Sequence, residues 1–158
     1  MYTDPIIRLA ELYLNYAEAA NEAYGPNTPA PNATMTALQA INKIRNRVEM
    51  PDVLPKYTTD KDLFRERIKN ERTVELCFEN FYFYDIRRWM DAPKVMGTPV
   101  TGLDVNARSS ERESFYITKI WNTETAMKRV WHNKMYFFPI SQSVLDRNGK
   151  LVQNPGWH

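Results

Sequence analysis

Apolar positions recur at helical spacing through the first half of this chain and lose that period after Met90. Ile6, Ala10, Tyr13, Leu14, Ala17 and Ala20 fall three and four residues apart, the pattern of an amphipathic helix. Asp4-Pro5 predicts its start, with Asp4 as N-cap and Pro5 at the first helical position. Gly25-Pro26 predicts its end: glycine accepts the left-handed backbone, and proline prevents continuation. Alanines at 10, 17, 19, 20 and 23 would let a neighbouring helix approach closely. Pro26, Pro29 and Pro31 stiffen the connector that follows. A second helix is predicted over Thr34–Val48, with Leu38, Ile41, Ile44 and Val48 as its buried stripe and Asn42, Arg45, Asn46 and Arg47 around it. Two such helices make an antiparallel hairpin, the unit of tetratricopeptide-like arrays, although no repeat recurs at a fixed period. Pro51 and Pro55 end the second helix.

The stretch Asp60–Met90 mixes two chemistries. Leu63, Phe64, Ile68, Leu76, Phe78, Phe81 and Phe83 demand burial, while Arg65, Glu66, Arg67, Glu71, Arg72, Glu75, Glu79, Asp85, Arg87 and Arg88 demand water or partners. Thr59 followed by Asp62 matches a helix start, and no breaker intervenes for about five turns. Glu71, Glu75 and Glu79 then stand in one column, and like charges so spaced repel by about 0.2–0.5 kcal/mol per pair. Cations must therefore be brought against them. Arg67, Arg72, Arg87 and Arg88 are the nearest supply, with Asp85 between them, which predicts a helix, a break near Asn80, and a short helix whose arginines return to the column. These eight side chains form a predicted structural ion network.

Beyond Met90, Pro93, Gly97, Pro99 and Gly102 mark loop, with a short strand expected at Pro99–Val105. Phe115–Trp121 and Val130–Phe138 are β-prone, and Pro139 with the polar run Ser141–Ser143 closes the second. Asn148-Gly149 and Pro155-Gly156 are turn signals, and the aromatic end of the tail predicts docking onto the domain. The expected fold class is mainly α: tetratricopeptide-like helix pairs, three or four helices in all, with an irregular, partly β C-terminal subdomain. Residues 1–158 read as one domain, helical over 1–91 and irregular with short strands over 92–158.

A length of 158 residues with 43% apolar and 25% charged side chains can bury a core and argues against disorder. A net charge of +2 gives no electrostatic case for nucleic acid, and glutamates interleaved with the arginines cancel the local field. Cys77 is the single cysteine, so an internal disulfide and a cysteine metal cluster are excluded; its apolar neighbours predict a buried thiol. No run of about 18 apolar residues predicts a membrane span, and the opening residues lack the basic and apolar regions of a signal peptide. His132 and His158 are too few and too dispersed for a catalytic triad or a metal site, and no phosphate-binding glycine loop is present. No cofactor is expected. Asn32-Ala33-Thr34 matches a glycosylation triplet common by chance. Aromatics reach 13%; Trp89, Phe78, Phe81, Phe83, Tyr13 and Phe137 occupy core-like positions. Tyr57, Tyr116, Trp121 and Trp131 lie near loops, where a ring face could stack on a sugar or a partner.

Five stretches occur in a telling order: LAELYLNYAEAAN (Leu9–Asn21), ALQAINKIRNRV (Ala37–Val48), RIKNERTVELCFENFYFYDIRRW (Arg67–Trp89), YFFPISQSVLDRN (Tyr136–Asn148) and LVQNPGW (Leu151–Trp157). They resemble the C-terminal part of the SusD/RagB family of Bacteroidetes outer-membrane nutrient-binding lipoproteins. The family's ER-x-x-EL-x-FEG-x-R-F-x-DLRRW motif is matched at Glu71, Arg72, Glu75, Leu76, Phe78, Glu79, Phe83, Asp85, Arg87, Arg88 and Trp89. Pro139-Ile140 and Gln153–Trp157 match its closing elements. Asn80 replaces the usual glycine, Tyr82 a common arginine, and Asn148-Gly149 a frequent Asn-Pro turn. Family members are usually longer, with a lipidated N-terminal cysteine and earlier tetratricopeptide-like helices. The resemblance implies non-enzymatic capture of glycans or other nutrients at the outer-membrane surface, and delivery to a SusC-type TonB-dependent transporter. It implies membrane attachment only through a lipid anchor that these residues do not contain, and it assigns no ligand-binding residue here. Two other readings are a tetratricopeptide-like protein-interaction module and a carbohydrate-active hydrolase using Glu75 or Glu79 with Asp85.

Overall fold

A computed structural model describes residues 7–98, 101–105, 118–122 and 129–157. The chain is mainly helical. In order it forms α1 (Leu9–Tyr24), α2 (Ala37–Arg47), a 3-10 turn at Pro55–Tyr57, α3 (Lys61–Glu75), α4 (Phe81–Arg88), α5 (Ala92–Met96), strands β1 (Thr101–Val105) and β2 (Thr118–Asn122), a 3-10 turn at Asn133–Tyr136, and α6 (Gln142–Arg147). Two compact units divide it, Met1–Tyr82 and Phe83–His158.

In the first unit, the helix expected from Asp4-Pro5 begins instead at Leu9. Arg8 is its N-cap residue with extended backbone, and its side chain is drawn toward acids at the end of α3; Asp4 and Pro5 lie outside the described residues. Gly25 ends α1 at φ 82°, its N–H bonded to the Asn21 carbonyl at 2.9 Å. Helix α2 starts at Ala37, three residues later than expected, because Thr36 and Gln39 form a reciprocal capping box. Thr36 Oγ1 accepts from the Gln39 N–H at 3.1 Å, and Gln39 Oε1 accepts from the Thr36 N–H at 2.9 Å. Asp60, not Thr59, caps α3: its carboxylate accepts from the N–H groups of Asp62 and Leu63 at 2.7 and 2.9 Å.

Helix α3 stops at Glu75, earlier than the expected break. Phe78 and Asn80 both take φ 65°, and α4 starts at Phe81. Glu79 therefore lies in the turn, and the helical column of three acids is really a pair plus one. The same early stop explains the burial of its neighbours. Cys77 is exposed and Phe78 fully so, because both fall in the turn and not on the packed face. Leu63, Phe83 and Phe137 are also exposed, at 46%, 39% and 60%, against the burial expected of them.

The stripes of three helices meet in one core. Leu14, Ala17 and Ala20 of α1, Ala37, Ala40, Ile41 and Ile44 of α2, and Phe64 and Ile68 of α3 cluster with Val53 and Leu76. Each large side chain so buried contributes about 1.5–3 kcal/mol. The ends of the helices fix their directions. Asn21, late in α1, donates to the Lys61 carbonyl at the start of α3 (3.0 Å), while Arg8 before α1 reaches Glu75 at the end of α3. The Leu38 N–H at the start of α2 bonds the Pro26 carbonyl just beyond α1 (3.0 Å). Thus α1 runs antiparallel to both α2 and α3. Alanines 17, 20, 37 and 40 are the small residues that permit this close packing.

In the second unit, β1 and β2 pair antiparallel from Thr101↔Asn122 to Val105↔Thr118. The expectation of a partly β subdomain finds no support in residues 129–157. Val130–Phe138 is not a strand but carries the 3-10 turn, and Ser141–Ser143 leads into α6. Local bonds replace a ladder there: the Met135 N–H to His132 at 2.8 Å and the Phe137 N–H to Lys134 at 3.2 Å. The indole N–H of Trp157 then donates to the Lys134 and Phe137 carbonyls, both at 3.0 Å. Gln153 clasps one residue of this segment, accepting from the Ile140 N–H and donating to the Ile140 carbonyl, both at 2.8 Å. Asn154 donates to the Phe138 carbonyl at 2.6 Å. The tail docks as expected. Gly156, at φ 82°, is required there, since a Cβ would stand 2.8 Å from that of Lys134.

Candidate functional site

Asp62 and Glu66 pair within α3, with Arg65 and Lys69, but Glu71 and Glu75 draw arginines from elsewhere. Glu71 pairs with Arg45 of α2 and accepts from Arg67 Nη2 at 2.6 Å. Arg45 also donates through Nε to the Pro51 carbonyl at 2.7 Å. Glu75 receives Arg8 Nη1 at 2.5 Å and Arg47 Nη2 at 2.9 Å. Glu79, although outside the helix, is reached by the same Arg8 at 2.7 Å. The Glu79 carboxylate, with Glu75 beside it, holds the Arg8 guanidinium above its ordinary range against the opposing effect of burial. A second tie joins Arg65 of α3 to Glu22 of α1, and that bond depresses the Glu22 carboxyl.

Of the other arginines expected in the network, Arg72 donates to Asn15 Oδ1 at 2.7 Å. Within α4, Arg87 donates to the Phe83 carbonyl at 2.7 Å, and Arg88 bonds Asp85 at 2.8 Å. Arg8, Arg45 and Arg47 were missed as partners. For Arg45 the signal was present: it stands four residues after Ile41 and next to Ile44, and so sits on the buried face of α2, whereas Val48, expected on that stripe, is the C-cap residue and 50% exposed.

The aromatic candidates have separate settings. Tyr57 is half-buried at the margin of the core, with Lys56 Nζ 4.8 Å and Arg67 Cζ 5.7 Å from its ring centre. Trp131 stands edge-on to Tyr136 at 4.9 Å, with Arg87 Cζ 5.5 Å from its ring. The backbone of Trp121 pairs with Gly102 in the ladder. The Trp121 side chain and Tyr116 lie outside the described residues.

A polar groove that the sequence did not single out runs along the outer face of α2. It encloses about 420 Å³ and is lined by Thr34, Met35, Gln39, Asn42, Lys43, Asn46 and Asp52. Gln39, Asn42, Lys43 and Asn46 share one face because they are spaced by three, four and seven residues, opposite the buried Ile41 and Ile44. Two of the amides are already oriented by the fold. Gln39 Oε1 is held by the Thr36 N–H, and Asn42 Oδ1 accepts from the Val53 N–H at 3.0 Å. Lys43 Nζ rests 5.3 Å from the Tyr13 ring centre. The groove can therefore present fixed N–H donors beside the carboxylate of Asp52. Among the described residues, no group of three or more His, Cys, Asp or Glu could hold a metal ion, and no helix is long and apolar enough to cross a membrane.

Comparison with known proteins places this architecture. The chain is 38% identical over 85 residues to SusD-like protein P25 of Formosa agariphila, covering 53% of this chain and 15% of that protein. SusD-like protein P38 of the same organism is 33% identical over 104 residues, covering 62% of this chain and 19% of that protein. The crystal structure of a SusD-like protein from Bacteroides fragilis superposes with a TM-score of 0.71 at 31% identity, covering 96% of this chain and 25% of that one. The chain thus spans a quarter or less of the length of these relatives. Residues 2–157 match the profile of the SusD family, and the chain belongs to that family.

Proposed function

We propose that this chain is the C-terminal part of a non-enzymatic glycan-capturing protein. It acts at the outer-membrane surface of a Bacteroidetes cell beside a SusC-type TonB-dependent transporter and hands the bound oligosaccharide to it. Attachment is through a lipid anchor on a preceding segment. The antiparallel α1–α2 pair is a tetratricopeptide-like unit, and residues 1–158 act together as one domain.

The observation that carries this reading is the family match over residues 2–157, together with the use to which the family's motif is put. Glu71, Glu75 and Glu79 are committed to arginines that tie three chain segments together. That is a clamp, and it leaves the paired-carboxylate hydrolase without its acids. Binding of neutral oligosaccharides on a glycan array, with mass-spectrometric identification of a TonB-dependent transporter in a pull-down from outer-membrane extract, tests it. A protein that binds no glycan and retains no transporter is not such a receptor. Hydrolysis of an array glycan, abolished in a folded Glu75→Gln variant, would restore the enzyme reading.

A further inference from the structure

From the groove on α2 we infer a binding site for a neutral, polyhydroxylated sugar ring, an inference that rests on the glycan-capture reading above. Three features of the groove carry it. Its volume of about 420 Å³ lies within the roughly 300–1,000 Å³ typical of small-ligand sites and accommodates one or two sugar rings. Its polar groups are of the mixed kind that hydroxyls require, since each hydroxyl both donates and accepts. Gln39 and Asn42 have their carbonyl oxygens bonded to the backbone, which turns their amide nitrogens into fixed donors. Asp52 supplies an acceptor, and Asn46 supplies both functions. Such oriented groups bind without first being ordered, which lowers the entropic cost of capture.

Formal charge decides between sugar classes. Lys43 is offset by Asp52, so the groove has no net charge with which to select a uronate or a sulfated sugar. The Lys43 ammonium is also held near Tyr13. Vicinal hydroxyls of a neutral ring match the alternation of amide donors with the Asp52 carboxylate, while Met35 offers an apolar patch for the ring's C–H face.

Asn46 and Asp52 are exposed, and their side chains make no hydrogen bond or ion pair among the described residues, so both can be removed without disturbing the fold. The test takes the neutral oligosaccharide bound most strongly by the wild-type chain on a glycan array and titrates it calorimetrically into wild type and an Asn46→Ala/Asp52→Ala variant. The expected result is a loss of affinity of roughly tenfold or more, about that of one good hydrogen bond or two weaker ones, at an unchanged melting temperature. In wild type, the side-chain NH₂ resonances of Gln39, Asn42 and Asn46 shift during the same titration. Equal affinity in the variant with those resonances unmoved overturns the groove assignment and leaves the glycan-capture reading intact. Strong binding of acidic sugars alone overturns the assigned ligand class. No glycan binding by wild type overturns both readings.

Discussion

Arg45 of α2 and Glu71 of α3 form an ion pair whose side chains are only 8% and 10% exposed. Both partners are held further: Arg45 Nε donates to the Pro51 carbonyl, and the Glu71 oxygen that meets Arg45, Oε1, also accepts from Arg67. Removing one partner strands the other in the interior, a loss that typically costs about 3–5 kcal/mol. Glu71→Ala is therefore expected to lower stability by about that amount in urea unfolding. Glu75→Ala should cost less, about 1.5–3 kcal/mol, because Arg47 is half in water and can resolvate. The joint Arg45→Met/Glu71→Leu variant should recover much of the Glu71→Ala loss, since it leaves no buried charge unpaired. An unchanged urea midpoint for Glu71→Ala would mean that the carboxylate is solvated and the clamp idle.

Asn80 separates α3 from α4 at φ 65°, where glycine is free of strain and asparagine is tolerated. Asn80→Val should destabilise the chain by about 1–2 kcal/mol, whereas Asn80→Gly should change stability by less than about 1 kcal/mol. Chemical denaturation of the three proteins checks the order. Valine as stable as asparagine would contradict the left-handed turn.

Gln153 uses both ends of its amide on the backbone of Ile140. Gln153→Ala should release the tail, and the Ile140 amide should then exchange with solvent faster while amides of the α1–α3 core keep their protection. Hydrogen exchange by mass spectrometry or NMR reads this directly. Gln153→Glu is not equivalent, because a carboxylate can accept from the Ile140 N–H but cannot donate to its carbonyl.

Glu22 has its carboxyl depressed by the hydrogen bond from Arg65, with Lys61 adding to the effect. A depressed acid stabilises the folded chain above its unfolded pKa, and this contribution is lost as pH falls through the folded value. The stability difference between wild type and Glu22→Gln should therefore be constant near neutrality. It should shrink as pH falls below the ordinary glutamate value of about 4.3, as in the unfolded chain. Thermal melts between neutral and acid pH measure it. A difference that persists unchanged in acid would exclude the ion pair as its source.

Much of the helical framework was legible in the chain itself. Leu14, Ile41 and Ile68 fell into the core because helical periodicity puts apolar side chains on one face whatever the partner. Asn80 marked a break because few other residues accept that backbone, and the aromatic tail announced its docking. Groove residues Asn42 and Asn46 were placed off the buried stripe, but their convergence with Asp52 across the Pro51 loop could not be read from spacing.

Periodicity, turn chemistry and the ordered motifs, all short-range properties carried by neighbouring residues, settled the mainly helical class and the family. Tertiary structure alone decided which charges meet. Arg8 and Arg45 lie 67 and 26 residues from the glutamates they bond, and a column of like-charged acids predicts that cations must come without saying from where. It also decided that α3 would end at Glu75, with Glu79 held in the turn by Arg8. Residues Val130–Phe138 followed the same rule: their β propensity gave way once Trp157 and Asn154, distant in sequence, took up the carbonyls of Lys134, Phe137 and Phe138.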